Sequence, residues 1–239
     1  MIIKKKYLTV NEYSRPNRKI DDVKAVVLHW LASPRGTPQG VYKYFEERKR
    51  GKTGYGSAHF CVGMDGETLQ YIPINEMAYH VGSKTYTDYG LSLSSYPNNC
   101  TVGIEMSHMD WEGSFTDETW EATKRLVAIL LTTYNLTIND LTTHMAIVGW
   151  KDCPRWFKTF PEEFDRFKRE TEIMMDAGIT LRTNSKCMMT DDFKIKMHRF
   201  IPKYNRVRIM EFGNEVTKVE YWPTLSEVYY GWIPTRCIG

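Results

Sequence analysis

Apolar positions come in two nearly unbroken runs, KAVVLHW (Lys24–Trp30) and TVGIEM (Thr101–Met106). Short continuous runs rich in valine and isoleucine predict strands covered on both faces. Between them, SAHFCVGMDGETLQYIP (57–73) holds two strand-like runs around Asp65-Gly66, a hairpin signal. Elsewhere the period changes to that of a helix. VYKYFEERKR (Val41–Arg50) ends at Gly51 and predicts a short helix with a glycine stop. Thr116 is placed to cap a second helix, with Asp117 and Glu118 in its first turn. Trp120, Val127, Leu130 and Tyr134 then recur at helical spacing. A third helix starts at Pro161, places Phe164, Phe167 and Met174 on one face, and stops at Gly178.

Residues 1–22 and YTDYGLSLSSYPNNC (86–100) read as irregular, the latter through its turn chemistry. The order is strand, helix, hairpin, strand, helix, loop, helix. That predicts an α/β domain over 1–178, a mixed sheet flanked by helices. Residues 179–190 are polar and poorly periodic and read as a linker. From 191 to 239 the alternating runs FKIKM, RVRIM, TKVEYW and VYYGWIP predict a small all-β domain. About 50 residues is marginal for folding alone, so docking or pairing is expected.

Composition narrows the class. Hydrophobic residues make up 42% and charged residues 26%, a globular balance. A net charge of +3 is too small to argue for nucleic acid. No stretch is apolar enough for stable membrane insertion. The basic N-terminal stretch lacks an apolar h-region, so synthesis in the cytoplasm without a signal peptide is expected. The five cysteines are irregularly spaced and write no disulfide framework. Only Cys153 has a histidine at short range.

That histidine lies in HMAIVGWKDCP (His144–Pro154). Zinc accepts imidazole nitrogen and thiolate, and a catalytic site takes three protein ligands. His144 and Cys153 are two candidates. His29, near the end of KAVVLHW, is the best third, although a lone strand histidine is more often core. Glu105 sits inside an apolar run, where an unpaired carboxylate is costly. Lys151 is either a solvated loop lysine or a partner of the site.

Read in order, VVLHW, TVGIEM and HMAIVGWKDCP resemble the type 2 N-acetylmuramoyl-L-alanine amidases of phage endolysins, within the peptidoglycan-recognition-protein superfamily. The hairpin and NEMAYHVG (75–82) share the likeness. The resemblance implies an enzyme with a bound Zn2+, held by His29, His144 and Cys153. It implies Glu105 as general base and Lys151 as a transition-state stabiliser. It implies that His80 lines the groove, as a substrate contact or a packing residue, and that His59 is structural. Some branches carry a tyrosine where this chain has Ala58, which puts more weight on Glu105. The implied substrate and partner is bacterial peptidoglycan, cut between N-acetylmuramic acid and L-alanine after membrane permeabilisation. The alternative is a non-catalytic peptidoglycan binder on the same fold. GWIPTRCIG (231–239) resembles the closing strand of bacterial SH3-like modules, which implies a wall-binding role for the second domain.

Overall fold

The computed structural model describes residues 3–176 and, beyond them, 180–182, 187–190, 197–201, 206–211, 213, 216–224 and 227–238. In chain order the first part runs β1 (Ile3–Lys5), β2 (Ala25–Trp30), α1 (Pro38–Glu47), β3 (Phe60–Val62), β4 (Thr68–Gln70), α2 (Asp88–Leu93), β5 (Thr101–Met106), α3 (Asp117–Thr133), β6 (Leu141–Thr143), α4 (His144–Val148), α5 (Arg155–Thr159) and α6 (Pro161–Asp176). Its sheet has six strands in the order β1-β4-β3-β5-β2-β6. Only β3 and β4 pair antiparallel; the other neighbours are parallel.

The central strands β2 and β5 explain where a site can form. Successive side chains on a strand point to opposite faces. On one face Val26, Leu28, Val102, Ile104 and Met106 join Leu126, Val127 and Leu130 of α3 and Phe167 of α6 in the main core. On the other face Ala25 and Val27 meet Val81, Leu93, Ile147 and Val148. His29 and Glu105 follow on this second face, directly opposite each other in the β2–β5 register.

The caps form as read. Thr116 accepts from the Thr119 backbone N–H at the start of α3. Gly51 takes φ +72° after α1 and its closing turn. That helix begins earlier than expected, at Pro38, because Thr37 accepts from Gly40 N–H.

Several expectations need correction. Residues 3–5 are not irregular: they form β1, an edge strand paired with β4. The stretch 86–100 contains α2, capped by Thr87. Gly90 makes that helix possible, because a Cβ there would lie 2.5 Å from the Ile147 carbonyl oxygen of α4. The loop expected at HMAIVGWKDCP opens as α4.

The stretch read as a linker carries β7 (Thr180–Arg182) and β8 (Cys187–Thr190). With β9 (Met197–Ile201), β10 (Arg206–Glu211), β11 (Val216–Thr224) and β12 (Glu227–Pro234) they form a second, all-antiparallel sheet, ordered β7-β10-β11-β12-β8-β9. Pairing with β10 and β12, not local periodicity, makes those two strands. Val207, Ile209, Val219 and Ile233 belong to the same apolar cluster as the inner face of α3, so the second sheet docks on the first domain. Gly178 and residues 193–196 of FKIKM lie outside the described residues. Among the described residues, no helix is long and apolar enough to cross a membrane.

Candidate metal centre

The run HMAIVGWKDCP folds back on itself. Thr143 accepts from Ala146 N–H and starts α4 with His144 as its first residue. Gly149 ends the helix at φ +81°, a left-handed conformation that a side chain would strain. The chain then returns, and Met145 N–H donates to the Cys153 carbonyl at 2.9 Å. His144 and Cys153 are thus neighbours despite the residues between them. Strand β2 brings His29 to the same point.

The ligand atoms of these three residues all lie within 4.8 Å of one another. His29 Nδ1 is 3.0 Å from His144 Nδ1 and 3.7 Å from Cys153 Sγ. A tetrahedral zinc shell would separate two nitrogens by about 3.3 Å and nitrogen from sulfur by about 3.6 Å. Two imidazoles and a thiolate are also the donor set zinc prefers, with a fourth position left open. The residues fit a zinc ion in both spacing and chemistry.

Burial sets the charge of this cluster. His29, His144 and Cys153 are each no more than 4% exposed. Burial, then the Lys151 charge, drives the His144 pKa down to about 3. Burial also holds His29 well below the usual imidazole range, helped by His144 and His80. Both are therefore neutral near pH 7, the form a metal needs. Burial, with the Glu105 charge, pushes the Cys153 thiol up to about 12.

An open cavity of about 640 Å³ lies over the cluster. His29, Glu105, His144, Lys151 and Cys153 all line it. Glu105 is half-buried, and its Oε2 is a buried oxygen with no hydrogen-bond partner. Lys151 is exposed along the cavity. Trp150, 65% exposed beside it, is pinned by its indole N–H to Ser83 Oγ at 3.1 Å. Trp30 lies between His108 and Arg155, and Trp156 packs against Phe160.

His59 is a strut. Its Nδ1 accepts from Gly103 N–H and its Nε2–H donates to the Glu76 carbonyl. His80 lines the same cavity and lies against His29. It is 7% exposed, and its two ring nitrogens meet His29 and Thr101. The sequence reading missed Thr101, Gly103 and Asn98 as its supports. The alternation of TVGIEM held the signal, since Thr101 and Gly103 share a face with Glu105.

Burial raises the Glu105 carboxyl to about 8, against a partial lowering by Lys151. The fold therefore favours its protonated form. This contribution is intact below the unfolded value near 4.5 and is lost as pH rises through about 8. Metal-free Glu105→Gln should match wild type at pH 4 and exceed it at pH 9 by about 3 to 5 kcal/mol. Urea unfolding in chelator at both pH values checks this; equal stability at pH 9 would mean that Glu105 is not desolvated.

The comparisons with known proteins agree with this geometry. The family described as N-acetylmuramoyl-L-alanine amidase matches residues 19–156. A probable N-acetylmuramoyl-L-alanine amidase from Bacillus licheniformis is 29% identical over 186 residues, 75% of this chain and 51% of the relative. The N-acetylmuramoyl-L-alanine amidase BlyA of Bacillus subtilis (strain 168) is 30% identical over 179 residues, covering 72% and 47%. The chain thus spans about half the length of the curated relatives it matches. Among solved structures, the catalytic domain of XlyA shares the fold at a TM-score of 0.57 and 22% identity, covering 72% of this chain and 99% of that one. A mutant endolysin from Bacillus subtilis gives 0.57 and 24%, over 72% and 99%.

Proposed function

Because this chain belongs to the N-acetylmuramoyl-L-alanine amidase family, we propose that it is a zinc-dependent peptidoglycan hydrolase of the endolysin kind. Its substrate is the amide between the lactyl carbonyl of N-acetylmuramic acid and L-alanine of the stem peptide. The observation that carries this reading is the meeting of His29 Nδ1, His144 Nδ1 and Cys153 Sγ on a cavity that Glu105 and Lys151 also line.

Zinc held there supplies a Lewis acid for the carbonyl and lowers the pKa of water to about 7. The protein's own groups do the rest. Glu105, with an unpartnered oxygen in the site, takes the proton of the attacking water and returns it to the leaving L-alanine amine. A positive charge nearby would draw its pKa down from about 8 toward the working range of a base. Lys151 offers an ammonium to the oxyanion that forms on the former carbonyl. Lys151→Met should lower kcat by roughly 100- to 1000-fold with little change in zinc content. Steady-state rates on a soluble muropeptide test this, and an unchanged kcat would remove Lys151 from the chemistry.

Residues 1–178 are read as the catalytic part and the second sheet as a wall-holding part. Support for that division is the family match ending at residue 156 and the separate antiparallel sheet beyond it. The test of function is digestion of purified walls by the zinc-loaded chain. New N-terminal L-alanine without new reducing sugar ends is the expected product. Wall binding with no release of either would point to a non-catalytic binder.

A further inference from the structure

We propose that His80 is a positioning residue that fixes the tautomer of His29, so that His29 turns a bare Nδ1 toward His144 and Cys153. This rests on the zinc reading above. The proton positions follow from counting donors. The Thr101 hydroxyl donates its one hydrogen to the Pro97 carbonyl at 2.7 Å. It therefore accepts from His80 Nε2, 3.1 Å away, and the Thr101 carbonyl at 3.2 Å can only accept. His80 Nε2 thus carries the hydrogen. The ring is buried with His29 and His59 as aromatic neighbours and no carboxylate among its hydrogen-bond partners, which favours the neutral form. Its Nδ1 is then an acceptor, and His29 Nε2–H donates to it at 3.0 Å. What remains on His29 is a lone pair at Nδ1, the atom facing the other two ligands.

The surroundings hold His80 in this pose. Asn98 Oδ1 accepts from the backbone N–H of both His80 and Val81. Gly103 leaves the ring its space, because a Cβ there would lie 2.5 Å from His80 Nδ1. A histidine that ligates a metal gains orientation and basicity from such an outer partner, and losing it typically costs about 10- to 100-fold in metal affinity.

Two readouts on the full chain test this. Long-range proton–nitrogen spectra of the metal-free protein should show His29 with hydrogen on Nε2 and none on Nδ1. Chelator competition should show zinc affinity falling about 10- to 100-fold in His80→Phe, which keeps volume but has no acceptor. His80→Gln offers both an acceptor and a donor and should recover most of the loss. A hydrogen on His29 Nδ1, or equal affinity in wild type and His80→Phe, overturns the inference and leaves the zinc reading standing. If His80→Phe does not fold, the wild-type spectrum and His80→Gln still decide. A wild type that binds no zinc overturns the zinc reading itself.

Discussion

Cys153→Ser is expected to abolish zinc binding at working concentrations, and with it wall lysis. Cys153 supplies the only sulfur in the three-residue cluster. A serine hydroxyl is a far weaker donor to zinc than a thiolate. The loss should exceed the roughly 10- to 100-fold that outer partners cost. Calorimetry gives a second signature. Free of metal, the thiol is pushed up to about 12, so it is protonated at pH 7 and must give up its hydrogen to bind. Zinc uptake by wild type should therefore release about one proton, read as a dependence of binding heat on the buffer's ionisation enthalpy. Zinc should also raise the unfolding temperature of wild type and leave that of Cys153→Ser in place. Stoichiometric zinc in the serine variant would remove Cys153 from the ligand set.

Glu105→Gln separates binding from chemistry. Its carboxylate is outside the three-ligand cluster, so the variant should keep its zinc. Its rate should fall about 100- to 10,000-fold, the usual contribution of a positioned base. The acid limb of the pH profile of kcat/KM should flatten as well, because the group that must lose a proton is gone. A variant that retains activity would hand the base role to another group. Loss of zinc in Glu105→Gln would instead make the residue part of the metal site.

The parts of the fold legible in the sequence were those whose signals are local. Strands β2 and β5 are nearly continuous apolar runs, and α3 carries both its cap at Thr116 and its periodic face. The missed elements depend on partners distant in sequence. Strand β1 is three residues held by β4, α2 exists because Gly90 fits beneath Ile147, and β7 and β8 are made by the strands beside them. The site followed the same division. Chemistry and a family resemblance pointed to His29, His144 and Cys153, and the backbone brings these residues together. The contacts of His80 with His29 and Thr101 were not legible, because they depend on residues distant in sequence. A histidine that is 7% exposed and bonded to His29 and Thr101 serves the centre from inside.

The alternation of β5 also sets what kind of change this chain can absorb. Thr101, Gly103 and Glu105 face the centre, while Val102, Ile104 and Met106 face the helices. One inserted residue between Thr101 and Glu105 would exchange the two sets, sending a carboxylate into the core and isoleucine to the reaction. Length is therefore frozen in the strands, however freely single residues are exchanged. The segments around the cavity mouth, such as 82–87 and 149–152, have no such parity to keep. Divergence would then proceed by lengthening and trimming those segments, over a strand pair that counts its residues in twos.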